Sequence, residues 1–396
     1  VNRPLRVLVA LTYYRPHTSG LTIYAERLAR SLAARGHAVT VLTSRFDPAL
    51  PLREEKDGVT VVRVPVAFRV SKGVIMPTFG LVATGLVRKH DVLSLHLPQL
   101  DAAGLALRGR LFGRPVVVTY HCDLTLPDTP LNRLANRVVV HSDRATGRLA
   151  DAIVAYTDDY ARHSRFLSRY LSKVRVVPPP VDVPVPGPGE VEAFRSTHNP
   201  DGAPVIGMAA RLATEKGVEV LLDAFPTVRA RFPGVRVLFA GQHENVLGEE
   251  AYLRRLRPLL DREGSRWAFL GVLDPREMAC FFSILDVVVV PSLNSTESFG
   301  LVQVEAMLRG TPSVASDLPG VRQPVLTTGM GEVFPTGDPA ELAGSLIRVL
   351  SSRARYVRPA REIESLYSTA RTAELYEQLF AELRSSREPG SGRPRP

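Results

Sequence analysis

Short apolar, β-branched runs alternate with segments of helical spacing along almost the whole chain, and this alternation limits the fold more than any other feature. Such runs lie at Leu5–Leu11, Ala38–Thr43, Val59–Val64, Val92–Leu95, Val116–Tyr120, Ile153–Tyr156 and Val174–Val177. A proline cluster, Pro178–Pro180, and the loose stretch Val181–Gly189 interrupt the pattern. It starts again at Val205–Ala209, Val235–Ala240, Trp267–Leu270, Val287–Val290 and Pro312–Ala315. Near-continuous apolar strands separated by helices argue for parallel sheets covered by helices. Two such patterns with a Pro/Gly-rich join predict an α/β chain of two Rossmann-like domains. We place these at residues 1–182 and 200–357. The pattern continues as a helical segment over 358–384, with apolar or aromatic residues at Ile363, Leu366, Tyr367, Leu375, Tyr376 and Leu379. The remainder, 385–396, is rich in Arg, Gly and Pro and is expected to be disordered.

A chain of 396 residues is long enough for two domains with separate cores. No apolar run approaches the length of a bilayer span, and the first residues pass directly into a strand without signal-peptide architecture. The expected location is therefore cytoplasmic. Cys122 and Cys280 are too few for a disulfide framework or a zinc site. The net charge of +10 is uneven. Residues 1–182 hold 26 Lys and Arg against 14 Asp and Glu, whereas 183–396 hold 24 against 26. Nucleic acid is a poor explanation, because there is no recognisable binding motif and little aromatic interleaving. An anionic acceptor, or peripheral contact with an anionic membrane at its inner face, suits the asymmetry better.

Asp286–Gly310 carries the densest chemistry. A β run breaks at Pro291, a polar loop follows, and Leu301, Val304 and Leu308 then recur at helical spacing. Gly300 and the backbone N–H groups of Ser298, Phe299 and Leu301 fall at the helix start, where orphan donors and the dipole favour a phosphate. Glu297 and Glu305 bracket seven residues, one at the mouth of the helix and one about two turns in. A carboxylate would repel an anion there, but it can accept two hydrogen bonds from a vicinal diol such as that of a sugar.

The phrase ESFGLVQVEAMLRGTPSVAS, from Glu297 to Ser316, resembles the E-x7-E signature of the retaining glycosyltransferases of family 4. Further elements match. Arg211 and Lys216, in ARLATEKG after a strand, correspond to the family's cationic pair, with Ala210 in place of its usual glycine. Two cations at a helix entrance suit a diphosphate, and Arg and Lys are not interchangeable there. His121 follows the strand in VVVTYHCDL, where the family places a histidine facing the donor sugar. Gly20 stands in the loop before the first helix, with Ser19 where the family has a second glycine. Val272 and Leu273 occupy the loop that in the family lies near the nucleotide base. Gln323-Pro324 departs from the family's commoner form, which has an acid there.

The resemblance implies a GT-B fold, two Rossmann-like domains facing across a cleft, with the last helix crossing back to the first. It implies transfer of a hexose from a UDP- or GDP-sugar with retention and without a metal or other cofactor. Arg211, Lys216 and the start of the helix at Phe299–Leu301 would hold the diphosphate, Glu305 the ribose, and Glu297 and His121 the sugar. Asp123, Asp128 and Asp143, downstream of His121, either border the acceptor, whose identity stays open, or are solvent-facing acids. A nucleotide-sugar epimerase of the same fold remains the alternative. The stretch Phe68–Arg88 mixes Arg69, Lys72 and Arg88, with Lys89 just after, among apolar residues. Both an interfacial amphipathic helix and a core-packing one look like this.

Overall fold

The structure is a computed structural model that describes residues 3–70, 73–123, 130–246 and 248–387. The chain divides into two compact units, Val1–Pro180 with Ser368–Pro396, and Val181–Tyr367.

The first unit is built on β1 (Arg6–Ala10), β2 (Ala38–Arg45), β3 (Arg53–Lys56), β4 (Val59–Pro65), β5 (Phe68–Val70), β6 (Gly73–Ile75), β7 (Val92–Leu97), β8 (Val116–Tyr120), β9 (Ala152–Ala155) and β10 (Val174–Val176). Its main sheet runs β10-β9-β8-β7-β1-β2-β4-β3, so the order reverses between β1 and β7. Every pair is parallel except β3 with β4. β7 and β8 are buried at every position, because helices cover both faces. β3 reads Arg-Glu-Glu-Lys and closes the sheet with a charged edge, which discourages pairing with another chain. Its composition hides it from any search for apolar runs.

The ambiguous stretch after Val66 resolves into a hairpin and a helix. β5 pairs with β6 antiparallel. The helix Phe79–Lys89 turns Phe79, Ala83 and Val87 into the core, leaving Leu81 80% exposed. Its apolar stripe is thus spent on packing. Arg69 donates to the Phe46 carbonyl at 2.6 Å, and Lys72 lies outside the described residues. Helix Gly20–Ala34 starts on Ser19, whose hydroxyl accepts the Thr22 N–H at 3.2 Å. The family's missing glycine is therefore a helix cap here.

The second unit carries β11 (Val205–Ala209), β12 (Arg236–Ala240), β13 (Trp267–Gly271), β14 (Val287–Val290), β15 (Ser313–Ser316) and β16 (Gly331–Phe334). They form one parallel sheet ordered β13-β12-β11-β14-β15-β16, reversing between β11 and β14. The short β16 was not among the expected strands.

The single helix expected over 358–384 is two, Ala360–Tyr367 and Thr369–Ser385. They break at Ser368, whose hydroxyl caps the second by accepting the Arg371 N–H at 3.3 Å. The break coincides with the return to the first unit. Where the two crossing segments meet, the Val181 N–H donates to the Tyr367 carbonyl at 2.8 Å. Within the first unit the last helix is anchored by Glu377, which takes Arg35 at 2.7 and 2.6 Å and His37 at 2.8 Å. Arg387 reaches both oxygens of Asp151 at 2.6 and 2.7 Å. Residues 388–396, most of the tail expected to be disordered, lie outside the described residues.

Candidate active site

In an open parallel sheet, ligands bind beyond the carboxyl ends of the strands where the strand order reverses. In the second unit that point lies between β11 and β14, and the loops leaving these strands carry the cations and the first carboxylate. After β11 the chain turns through Arg211 and a 3₁₀ turn, Thr214–Lys216, to Gly217. After β14 it passes through Pro291 and Glu297 to Gly300, the N-cap of helix Leu301–Met307. The two loops are stitched together by the Leu293 N–H, which donates to the Glu215 carbonyl at 2.9 Å. They also touch at Gly217, which has φ +66° and a position at which a Cβ would lie 2.0 Å from the Pro291 carbonyl oxygen. Only glycine permits that approach.

This stitching brings Lys216 Nζ to 2.6 Å from Glu297 Oε2. Glu297 Oε1 accepts the Gly300 N–H at 3.0 Å. One carboxylate therefore bridges the cation and the start of the helix, with both side chains about one-fifth exposed. The Gly300 N–H, expected to await a phosphate, is held by Glu297. Arg211 is half exposed, and its guanidinium donates to Glu215 Oε1 at 3.2 Å. Glu305 is half-buried and lies about one turn into the helix, not the expected two, because the helix starts only at Leu301. Ser298 is buried, and Leu301 is half-buried. Phe299 is buried with its ring edge-on to Tyr367, 5.7 Å between centroids. Its side chain is thus an anchor in the second unit. After β13, Val272 is 73% exposed and Leu273 packs inward.

Sequence reasoning missed Gln303, which lies between the two glutamates and is completely buried. Its Nε2 donates to the carbonyls of Phe299 at 3.0 Å and Val321 at 2.8 Å, and its Oε1 accepts from the Ser313 hydroxyl at 3.1 Å. It fixes the E-x7-E helix to β15 and to the turn at Val321. The signal was a lone amide among apolar residues in Leu301–Met307. Gln303→Leu keeps the volume but strands three buried polar atoms, at about 1–3 kcal/mol for each left unsatisfied. We expect urea unfolding to show a loss of about 3 kcal/mol or more. A loss below about 1 kcal/mol would mean that these atoms find other partners.

In the first unit the strand order reverses between β1 and β7. Gly20 opens the helix after β1, and a Cβ there would meet nothing within 4 Å. Neither a positive φ nor a close contact requires glycine there. His121, directly after β8, is 5% exposed. Its Nε2 lies 2.8 Å from His96 Nδ1, and its Nδ1 is bonded to the Tyr156 hydroxyl. Both ring nitrogens are thus engaged inside the unit, whereas the expectation had the residue facing a sugar. Burial, then the neighbouring His96, pushes its pKa far below the usual imidazole value. Asp123 is also committed. It accepts from the Tyr120 hydroxyl at 2.9 Å, the Ser164 hydroxyl at 2.8 Å and the Arg165 N–H at 3.3 Å. Asp143 is buried, and burial raises its carboxyl to about 7. Asp128 lies outside the described residues.

Known proteins carry the same organisation. Residues 19–180 match the family described as Glycosyl transferase 4-like domain, and residues 190–365 match Glycosyl transferases group 1. A D-inositol 3-phosphate glycosyltransferase of a Nocardioides species is 30% identical over 406 residues, covering 93% of this chain and 87% of that protein. A phosphatidyl-myo-inositol mannosyltransferase of Mycobacterium tuberculosis is 29% identical over 371 residues, covering 89% and 90%. Among solved structures, Anabaena HepE in complex with UDP-glucose superposes with a TM-score of 0.74 at 19% identity, covering 96% of this chain and 100% of that one. With these matches over nearly its whole length, the chain belongs to the group 1, family 4 glycosyltransferases of GT-B fold.

Proposed function

We propose that this glycosyltransferase moves a hexose, with retention, from a UDP- or GDP-sugar to an acceptor hydroxyl, using fixed cations where other enzymes use a metal. The observation that carries this reading is the Lys216–Glu297–Gly300 arrangement at the reversal point of the second sheet. It gathers a cation, a carboxylate and a helix start within hydrogen-bonding distance. A diphosphate draws Lys216 and Arg211 from their carboxylate partners, and the freed Glu297 accepts from sugar hydroxyls. Glu305 accepts from the ribose, and the backbone of Ser298–Leu301 faces the phosphates. Val272 and Leu273 border the base, Gly20 leaves room for the donor, and His121 acts at the sugar. As the bond from C1 to the phosphate oxygen breaks, the acceptor oxygen bonds C1 on the same face. The departing phosphate takes the acceptor's proton, so charge and atoms balance without an external base. HepE's complex with UDP-glucose and the mycobacterial protein's mannosyl transfer support a nucleotide-hexose donor.

A thermal-shift panel of UDP, GDP, ADP and their hexose conjugates tests the donor, because a ligand at about 100 times its Kd adds about 2.7 kcal/mol. Stabilisation by one base and retention of the anomer in the product, with turnover unaffected by chelator, are expected. No shift with any of them would overturn the reading. The same panel separates the two glutamates. Glu305→Ala should weaken the bare diphosphate, and Glu297→Ala should spare it and lower transfer. Equal loss in both would remove the division.

For the acceptor we propose a phosphate-bearing or lipid-linked molecule. In sequence, residues 1–180 and 368–396 hold 31 Lys and Arg against 17 Asp and Glu. The two relatives named above act on a phosphorylated inositol and a phosphatidylinositol, respectively. Among the described residues no helix is long and apolar enough to cross a membrane, so any contact with a bilayer through them is peripheral. Each basic residue near an anionic surface contributes about 1 kcal/mol, fading within a Debye length. Co-sedimentation with anionic but not zwitterionic vesicles, abolished by salt, is expected for the membrane version. Equal binding to both leaves a soluble phosphorylated acceptor.

A further inference from the structure

His121 does not stand alone. It is the centre of a buried polar layer on one side of the first unit's sheet, drawn from parts of the chain far apart in sequence. His96 lies on β7 and is completely buried. It is in register with Thr119 of β8, two residues before His121. Tyr156 follows β9 directly. Tyr24, from helix Gly20–Ala34, sets its ring edge-on to His121 at 5.0 Å and stacks on Tyr156 at 5.2 Å. Its hydroxyl is 2.8 Å from that of Tyr376 on the last helix, which in turn lies 2.6 Å from the Thr119 hydroxyl. Among the described residues, the titratable side chains whose rings lie against His121 include His96, Tyr24 and Tyr156.

Proton counting gives this layer a direction. A hydrogen bond between two imidazoles needs one ring to donate and the other to accept. A phenol, with an ordinary pKa near 10, keeps its proton beside an imidazole whose own is near 6.5. The phenol oxygen can also accept, but its O–H is the stronger donor and the imidazole nitrogen the stronger acceptor, so the favoured arrangement has the Tyr156 hydroxyl donating to His121 Nδ1. The His121 proton must then sit on Nε2 and be donated to His96 Nδ1. That leaves the His96 proton on its own Nε2, a buried atom without a hydrogen-bond partner among the described residues. His96 Nε2 is without a partner among the described residues in either direction, so the phenol decides between them: the reverse direction would require it to accept from the ring.

We propose that Tyr156 and His96 are positioning residues that hold His121 as the neutral Nε2–H tautomer in a single ring orientation. With both nitrogens committed, His121 serves as a fixed neutral ring and not as a general acid or base. Neutrality has a chemical use in the transfer proposed above. Positive charge grows on the sugar as its bond to phosphate breaks, and an imidazolium beside it would oppose that change. Burial reinforces the geometry by disfavouring the charged form of both rings, with His96 pushed down to about 3.

The kinetic half of this inference rests on the proposed role of His121, and the structural half does not. The test uses the full chain labelled with ring-¹⁵N histidine, with the His121 signals identified by their loss in His121→Gln. Two-bond ¹H–¹⁵N correlation should show Nδ1 unprotonated and Nε2 protonated, unchanged between about pH 5 and 8. A His121 imidazolium in that range, or an Nδ1–H tautomer, would overturn the proposal. Tyr156→Phe, nearly isosteric, should give mixed tautomers and lower kcat about tenfold with donor KM within about twofold. His96→Gln, which keeps an acceptor opposite Nε2–H, should retain the tautomer that His96→Leu loses. Wild-type kcat in Tyr156→Phe despite mixed tautomers would also overturn the positioning role. The expected spectra from a wild-type chain with no transferase activity would count against the proposed function and leave the tautomer standing.

Discussion

Lys216→Ala is expected to lower turnover by about 10²–10³, the typical loss when one preorganised electrostatic contact to a transition state is removed. The fold should barely notice. The Lys216–Glu297 pair is about one-fifth exposed on each side, and such partly solvated pairs contribute about 1 kcal/mol or less after screening. The pair spans two loops already stitched by the Leu293 N–H and the Glu215 carbonyl, and Glu297 keeps its bond from Gly300. A large kinetic effect with a small stability effect is therefore the signature of a cation held ready for a diphosphate. Lys216→Arg should not restore full activity, because a planar fork cannot occupy the place of a point charge 2.6 Å from one carboxylate oxygen. Arg211→Ala should move in the same direction, although Arg211 must first leave Glu215. Nucleoside diphosphate release measured beside urea unfolding separates the two quantities. Near-wild-type turnover in Lys216→Ala would remove this residue from the chemistry.

The parts of this protein that could be read in the sequence are those where one physical demand dominates. Strands buried on both faces must be apolar, so β7, β8, β11 and β14 stand out. An edge strand answers to water instead, which is why Arg53–Lys56 carries no apolar signal. The hairpin Phe68–Val70 with Gly73–Ile75 is three residues on each side, too short for periodicity to speak. At the site, Lys216 and Glu297 were legible as residue types in a phrase. Their contact was not, because it depends on how close two loops 81 residues apart approach. Tyr24 and Tyr376 meet across 352 residues, a pairing no local pattern can indicate. His96 reads as a strand residue among leucines. Its polarity was the only hint of the layer behind His121.

Gly217→Ala is expected to lower stability and turnover together, and for a reason that can be divided. Gly217 has φ +66°, and a side chain in that left-handed region costs about 1–2 kcal/mol by itself. Its Cβ would also fall 2.0 Å from the Pro291 carbonyl oxygen, a backbone atom that cannot swing aside as a side chain would. The loop after β14 must therefore shift, carrying Glu297 away from Lys216. We expect a total loss of about 3 kcal/mol or more. Any folded fraction should also lose turnover by about 10², since displacements near 1 Å at a reacting site cost that much. Gly58→Ala is the control. Its φ is +75°, yet a Cβ there meets only the Ala33 side chain at 3.5 Å, an ordinary contact. That variant should show the conformational cost alone, about 1–2 kcal/mol, with unchanged turnover. Equal destabilisation in the two variants would mean that the loops after β11 and β14 are not held in contact at Gly217.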